Sequence, residues 1–161
     1  MKPNLIIIAA ISKNNIIGRG DKIPWDIPED LKRFKTLTLH HPVIMGRRTY
    51  ESVLERLGKP LSERKNIVLT RQNISHEGIY ITHSIDEVIN LCVEEDSYVM
   101  GGREIYMQFL PLVNRMEITR VHKKVEGDVF FPEVNWGEWE EVFRDFRGEY
   151  SFLTYIRRGY T

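Results

Sequence analysis

Cysteine is nearly absent from this sequence, with Cys92 the single one among 161 residues. A lone cysteine excludes an internal disulfide framework and suits a reducing compartment, so we expect a cytoplasmic protein. The five histidines show no metal-ligand spacing with carboxylates or with Cys92. We therefore predict no metal site.

An excess of charge of one sign is also lacking. Lys and Arg total 23, and Asp and Glu total 23. No overall basic charge attracts the chain to nucleic acid or to an anionic membrane, so any anion site must be local. The apolar run at residues 5–11 is too short to span a bilayer, and it lacks a signal-peptide cleavage pattern. It predicts a strand, and we expect neither nucleic acid nor a membrane as a partner.

Apolar segments are nonetheless frequent, at 42% hydrophobic residues, which suits a single domain over residues 1–161. Short apolar strands at residues 5–11, 43–45, 66–70, 79–82, 97–100 and 116–121 alternate with helical patterns from residue 27 and at 49–54, 84–93 and 104–110. This order predicts an α/β fold with a largely parallel sheet. Residues 140–146 and 151–157 predict an antiparallel hairpin. In such sheets ligands bind beyond the carboxyl ends of the strands.

The helix that begins near Ile27 carries an N-terminal signature. Asp26 can cap it, Glu29 can complete a capping box, and Pro28 suits the first turn. Its apolar stripe is predicted to face the core and comprises Ile27, Leu31, Phe34 and Leu37.

Asp30 lies on that same stripe. A carboxylate on an apolar face loses hydration worth several kcal/mol unless donors surround it. The pattern therefore predicts a hydrogen-bond partner for Asp30. Two interpretations remain open, a structural carboxylate bonded within the protein and an acid that binds a ligand.

Two segments combine a strand end, glycine and a helix start, at residues 46–49 and 101–104. Each can present free backbone N–H groups to an anion, with the helix dipole adding to the attraction. Two such phosphate cradles suit a dinucleotide. Arg47, Arg48 and Arg71 could bind an extra phosphate and favour NADPH over NADH, although solvated surface positions explain at least one of them equally well.

The motifs IAAIS, IGRGDKIPWDIPEDLKRFK, PVIMGRRTYES, KPLSERKNIVLT, VMGGREIYMQFLP and VEGDVFFP follow one another along the chain. Together they resemble dihydrofolate reductase of the bacterial chromosomal type. The resemblance implies a three-layer α/β fold with an eight-stranded, mostly parallel sheet, an antiparallel C-terminal hairpin and four helices. It also implies NADPH-dependent reduction of 7,8-dihydrofolate to tetrahydrofolate for one-carbon metabolism and thymidylate synthesis.

The resemblance assigns roles to matching residues. Asp30 would bind the pterin N3 and 2-amino groups, Thr119 would hydrogen-bond to Asp30, and Trp25 would order an active-site water. Hydride would pass from nicotinamide C4 to pterin C6, with N5 protonated through that water. Catalytic positions are Asp30, Trp25 and Tyr106. Substrate positions are Ile8, Asp30, Leu31, Phe34, Lys35, Val53, Leu61, Arg64 and Thr119, of which Arg64 would pair with the glutamate α-carboxylate. Core packing explains the apolar members equally well.

The implied cofactor positions are spread over the first strand, the lid at residues 16–23 and both cradles. They are Ala10, Ile16, Ile17, Gly18, Arg19, Gly20, Asp21, Lys22, Gly46, Arg47, Arg48, Thr49, Thr70, Arg71, His83, Gly101, Gly102, Arg103, Glu104, Ile105, Tyr106 and Gln108.

Departures from the family pattern are local. Arg103 occupies the position of a third glycine found in some members, while the Gly101–Gly102 peptide, expected to be cis, keeps both residues. The loop at residues 54–60 is longer than in compact members, and Ile23 at the lid apex is branched.

Two rival functions share parts of this pattern. A same-fold pyrimidine reductase of the riboflavin pathway would share the cradles, but Trp25, Asp30 and Arg64 argue against it. A non-catalytic pterin or NADPH binding protein is the other alternative. We expect a monomer that binds dihydrofolate and antifolates of the pteridine or diaminopyrimidine type.

Overall fold

A central β-sheet organises the computed structural model, which describes residues 4–19, 24–92 and 95–159. In these residues the strands are β1 (Asn4–Ser12), β2 (Ile16–Gly18), β3 (Val43–Gly46), β4 (Asn66–Leu69), β5 (Ile79–Thr82), β6 (Asp96–Val99), β7 (Arg115–Val121), β8 (Val129–Phe130), β9 (Trp139–Phe146) and β10 (Tyr150–Arg157). The α-helices are α1 (Pro28–Thr38), α2 (Arg47–Leu57), α3 (Ile85–Leu91) and α4 (Arg103–Phe109), and a 3-10 helix covers Trp136–Glu138.

Within the described residues the main sheet has eight strands in the order β5-β4-β3-β6-β1-β7-β10-β9. The strands from β5 to β7 are parallel to their neighbours, and β10 pairs antiparallel with both β7 and β9. The predicted fold class is therefore confirmed, including the C-terminal hairpin. In this part of the chain no helix is both long and apolar enough to cross a membrane.

Each face of the sheet packs against its own helices. Along β1, Leu5, Ile7 and Ile11 belong to a cluster with residues of α3 and α4. Ile6 between them belongs to a second cluster, against which Leu37 of α1 and Leu54 of α2 pack. Successive strand residues point to opposite faces, so this alternation produces the three layers.

The predicted elements lie within a few residues of those in the structure. The cap of α3 is confirmed, because the Ser84 side chain accepts a hydrogen bond from the Glu87 N–H at 3.2 Å. The Glu87 carboxylate reaches the His83 N–H at 2.8 Å, one residue before the expected position. The helix ends at Leu91, and residue 93, its predicted end, lies outside the described residues.

The predicted cap of α1 is wrong. Ile27 is the N-cap, and within the described residues no side chain caps this helix. Asp26 lies one residue too early for the role. Glu29 accepts instead a hydrogen bond from Arg147 Nη1 at 2.7 Å. The hairpin turn that carries Arg147 is distant in sequence, so local pattern could not reveal this competitor.

The apolar stripe of α1 also differs from the prediction. Leu31 is 43% exposed, and Phe34 and Leu37 are half-buried. Leu31, in the N-terminal half of the stripe, therefore lies outside the core, where we expect a ligand cleft. A helix that lines a ligand cleft has the same spacing as one that lines a core, so periodicity cannot separate them.

The sequence analysis did not predict the short two-stranded sheet of β2 and β8. The predicted lid at residues 16–23 begins with β2, which pairs antiparallel with β8. The approach is close at Gly127, where a Cβ atom would lie 2.6 Å from the Gly18 carbonyl oxygen. Both strands are too short for their alternation to be detected. The predicted lid positions Gly20, Asp21, Lys22 and Ile23 lie outside the described residues.

Candidate active site

The two glycine cradles adjoin each other at the carboxyl ends of β3 and β6. Gly46 is the N-cap of α2 and Gly102 is the N-cap of α4. The Gly46 N–H donates to the Gly101 carbonyl at 2.9 Å, which joins the two cradles directly. The Gly101–Gly102 peptide is cis, as expected. Two predicted anion sites that lie 55 residues apart in sequence thus form one surface.

Both cradles need glycine for steric reasons. A Cβ atom on Gly46 would lie 3.0 Å from Ile105 Cγ1, and one on Gly101 would lie 3.0 Å from the Tyr106 ring. Gly101 also has a φ of +107°, which side chains disfavour. Among the described residues no side chain caps either helix. The first-turn amides of α2 therefore have no side-chain acceptor there and suit a phosphate.

Asp30 has the protein partner that the sequence predicted. Thr119 Oγ1 on β7 donates to Asp30 Oδ1 at 2.6 Å. Asp30 is half-buried on the first turn of α1. Burial raises the pKa of this carboxyl, while the Thr119 hydrogen bond and the positive charge of Arg33 act in the opposite direction. One oxygen is thus fixed by the protein on the side of the sheet that α1 covers.

Tyr106 is buried, and its side chain hydrogen-bonds to the backbone of β1. Its hydroxyl donates to the Ile8 carbonyl oxygen at 2.8 Å. Burial, and secondarily the nearby Asp30 charge, raise the pKa of the Tyr106 phenol, so it stays neutral at ordinary pH. Ile8 and Ala10 are half-buried, and Ala10 lies opposite Thr119 in the sheet register. The structure thus brings Ile8, Ala10, Thr119 and Asp30 to one place.

Arg64 is held in a fixed orientation beside the C-terminal half of α1. Its Nε donates to Thr38 Oγ1 at 2.9 Å, Nη1 to the Ser62 carbonyl at 2.6 Å and Nη2 to the Lys35 carbonyl at 2.8 Å. A guanidinium has five N–H donors, so within the described residues these bonds leave donors for a carboxylate. The Lys35 side chain is exposed nearby on α1.

The predicted apolar walls differ in exposure. Val53 is buried, Trp25, Phe34 and Leu61 are half-buried, and Leu31 is exposed. Val53 therefore contributes mainly to the core, whereas Leu31 offers apolar surface. An exposed leucine beside half-buried aromatic residues suits the edge of an apolar ligand pocket.

The three arginines proposed for an extra phosphate are not equivalent. Arg47 Nη1 donates to both Glu51 carboxylate oxygens, at 2.8 and 2.9 Å, so this guanidinium already has an anionic partner. Arg48 and Arg71 are exposed. His83 Nδ1 lies 2.8 Å from the Thr70 carbonyl, which places these two predicted cofactor residues together at the end of β4.

The remaining predicted cofactor residues have varied environments. Ile16 is 1% exposed, so its side chain belongs to the core and only its backbone could contact a ligand. Arg103 Nη1 donates to the Phe130 carbonyl at 2.8 Å, which ties α4 to β8. Of the others, Gly18 and Ile105 are buried, Ile17 and Thr49 are half-buried, and Arg19, Glu104 and Gln108 are exposed.

Sequence reasoning missed one ion pair at the site. Arg33 Nη2 on α1 lies 2.9 Å from Glu117 Oε1 on β7. A signal was available, because Arg115, Glu117 and Thr119 alternate with apolar Met116 and Ile118. Three polar residues on one face of a predicted central strand indicate a polar layer. Among the described residues no group of three or more potential ligands could hold a metal ion.

Comparisons with known proteins agree with this geometry. A family model described as dihydrofolate reductase matches residues 4–157. Dihydrofolate reductase HdrB of Haloferax volcanii is 40% identical over 161 residues, covering 95% of this chain and 83% of the relative. Dihydrofolate reductase of Neisseria gonorrhoeae is 42% identical over 160 residues, covering 94% and 97%. The Enterococcus faecalis dihydrofolate reductase, solved in complex with NADP(H) and RAB-propyl, superimposes with a TM-score of 0.86 at 30% identity, covering 98% of this chain and 99% of that one.

Proposed function

This chain belongs to the dihydrofolate reductase family, and we propose that it reduces 7,8-dihydrofolate to tetrahydrofolate with NADPH, using Asp30 to bind the pterin ring. The observation that carries this proposal is the Asp30–Thr119 hydrogen bond at 2.6 Å in a half-buried position. It fixes one carboxylate oxygen, and within the described residues the other has no hydrogen-bond partner, which suits a ligand that offers N–H donors. The protonated edge of a pterin, with a ring N–H beside an amino group, has that chemistry.

The chain has residues that fit the cofactor. The adjoining glycines leave space that a Cβ atom would fill, and the N-terminus of α2 presents amides to an anion. Gly46, Thr49, Gly101 and Gly102 would hold the dinucleotide, with the exposed Arg48 and Arg71 as candidates for its additional phosphate. When bound, NADPH supplies the hydride.

The protein's own contribution is alignment and charge. Tyr106 fixes the Ile8 carbonyl from the α4 side, and Thr119 fixes Asp30 from the sheet. Both groups are therefore set before a ligand arrives, which lowers the entropic cost of alignment. As an anion, Asp30 favours a protonated, electron-poor pterin ring and so favours protonation at N5. Arg64 is oriented to bind the carboxylate at the other end of the substrate.

The test is hydride transfer from NADPH to dihydrofolate, followed at the NADPH absorbance band across pH, for wild type and Asp30→Asn. Loss of one stabilising electrostatic group costs about 10²- to 10³-fold in rate. We expect a loss of that order, steepest at high pH, where protonated substrate is scarce. Asp26→Asn is the matched control, since Asp26 is exposed four residues earlier, and NADH controls for cofactor choice.

An unchanged rate in Asp30→Asn at every pH would exclude this role for Asp30. No turnover by a folded wild type that binds NADPH would favour the pyrimidine reductase or a non-catalytic binding protein. The family match argues against both, because the matched relatives are dihydrofolate reductases.

The chain is further proposed to act as a cytoplasmic monomer and to bind pteridine or diaminopyrimidine antifolates. The single, buried Cys92 supports a reducing compartment, and the exposed apolar side chain of Leu31 on α1 supports inhibitor binding. Sedimentation analysis with and without NADPH tests the monomer, and competition with dihydrofolate tests the inhibitors.

A further inference from the structure

Two pairs of bonded side chains link α1 to β7, and the pairs lie next to each other. The first is Asp30–Thr119, joined at 2.6 Å, and the second is Arg33–Glu117, joined at 2.9 Å. Asp30 and Arg33 are three residues apart, so they are neighbours on the helix surface. Glu117 and Thr119 are two residues apart and point to the same face of the strand. The ion pair is thus adjacent to the acid of the proposed active site.

Glu117 holds Arg33 in a defined place. The Glu117 side chain is only 7% exposed and that of Arg33 is 22% exposed. Thr154 Oγ1 also donates to Glu117, and Arg115 Nε lies 3.5 Å from its other oxygen. The Arg33 guanidinium lies in addition 4.7 Å from the centre of the Phe152 ring. With these contacts the arginine has little freedom to move into solvent.

Stability alone does not account for this pair. Desolvation of two charges offsets most of their attraction, and an apolar pair of similar volume is often as stable or more so. The same position one turn after Asp30 would also accept an apolar side chain against Phe152. The ion pair does, however, place a positive charge next to Asp30 that an apolar pair would not provide.

We propose that Arg33 is a positioning residue for Asp30, with Glu117 fixing the arginine so that its charge holds Asp30 as an anion in the cleft. This inference rests on the proposed function, in which the anionic form of Asp30 binds the pterin ring. Burial opposes that form by raising the pKa of Asp30, and Arg33 counteracts the effect. Glu117 thus serves the reaction only by holding Arg33 in place, because its own negative charge acts against the anionic form of Asp30.

Other charged and polar groups lie on the elements around this carboxyl. On α1 and β7 the nearby charged or polar groups are Glu29, Arg33, Arg115, Glu117 and Thr119. From α4 and the hairpin they are Tyr106, Asp145, Arg147, Tyr150 and Thr154. Glu29 and Asp145 are both paired with Arg147, at 2.7 and 2.9 Å. Among the described residues, Arg33 is the cation whose charge lowers the pKa of Asp30.

The experiment is a titration of the Asp30 carboxyl carbon by NMR in the ligand-free full chain, with Asp30→Asn to assign the signal. Arg33→Met removes the cation and is expected to raise the pKa of Asp30. Glu117→Gln removes the anion but keeps an oxygen that can accept from Arg33, so it is expected to lower that pKa. Arg33→Lys keeps the charge and should restore a value close to wild type.

Opposite shifts in Arg33→Met and Glu117→Gln are the signature of a charge effect. If the pair only packs α1 against β7, both substitutions loosen the same contact and reduce the burial of Asp30, so both lower its pKa, and this outcome overturns the proposal. An unchanged Asp30 titration in Arg33→Met also overturns it. Should Arg33→Met not fold, Arg33→Gln removes the same charge with a polar side chain, and the absence of an upward shift in that variant contradicts the proposal.

Turnover of dihydrofolate is measured separately on the wild type. A wild type without turnover defeats the proposed function, whereas the titration still decides whether Arg33 sets the charge of Asp30. The two failures are therefore distinguishable.

Discussion

The two faces of β7 carry different kinds of side chains. On the α3 and α4 side, Met116 and Ile118 are fully buried among apolar residues. On the α1 side, Glu117 and Thr119 each bond to a polar side chain of the helix. One strand thus supplies both a rigid core and a polar site. The polar side chains of the site are held in position because they alternate along the strand with well-packed residues.

The two faces of the neighbouring strand, β1, differ in the same way. Ile7 and Ile11 of β1 are fully buried, whereas Ile8 and Ala10 on the α1 side are half-buried near the cleft. One face of β1 is packed into the core, and the other carries residues near the site, although Ile6 on that face is also fully buried. The contrast predicts separate effects for substitutions only one residue apart.

The largest expected effect is on stability, from Ile118→Ala on the apolar face. Removal of a fully buried isoleucine side chain costs about 2–5 kcal/mol of unfolding free energy. Urea unfolding measures it, and Ile118→Val, which costs about 0.5–1.5 kcal/mol, is the graded control. Activity per folded molecule should stay near wild type. A large fall in activity with little change in stability would contradict the difference that we expect between the two faces of β7.

A smaller effect is expected on the polar face from Thr119→Val, which keeps the shape and removes the donor to Asp30. We expect kcat/KM for dihydrofolate to fall about tenfold, which corresponds to about 1.4 kcal/mol. Thr119→Ser retains the hydroxyl and should preserve most of the activity. If Val and Ser behave alike, the hydrogen bond at 2.6 Å does not position Asp30 for the reaction.

The smallest expected effect is the change with pH in the free energy of unfolding that the Asp30 carboxyl causes. Burial raises the pKa of Asp30 in the folded protein, so its contribution to stability is complete below the unfolded pKa and is lost as pH rises through the folded pKa. Asp30→Asn should therefore be more stable than wild type at neutral pH, with the difference shrinking as pH falls toward about 4.

Urea unfolding of the ligand-free proteins over that pH range measures the difference, and Asp26→Asn gives the baseline for loss of an exposed carboxylate. If Asp30→Asn gains stability while it loses activity, its behaviour is the opposite of that expected for Ile118→Ala, which loses stability and keeps activity. A stability difference that grows toward acid pH would contradict the assigned direction.

Much of the site was predictable because it follows local rules. Glycine between a strand end and a helix start predicted both cradles, and a carboxylate on an apolar stripe predicted a donor for Asp30. The ion pair of Arg33 and Glu117 was not predicted, although alternation along β7 carried its signal. The cap at Asp26 was predicted wrongly because the N-cap is Ile27, one residue later. The capping box is also absent, since Glu29 bonds to Arg147, 118 residues away in sequence.

The sequence by itself determined the order of strands and helices, the parallel sheet and the need of Asp30 for a partner, because these follow from periodicity and from the cost of burying charge. Only the tertiary structure decided which residues meet. It joined Gly46 to Gly101, directed Tyr106 to the Ile8 carbonyl and fixed Arg33 beside Asp30 through Glu117. The physical reason is that such contacts depend on strand register and on the docking of helices onto the sheet, which residues far apart in the chain establish together.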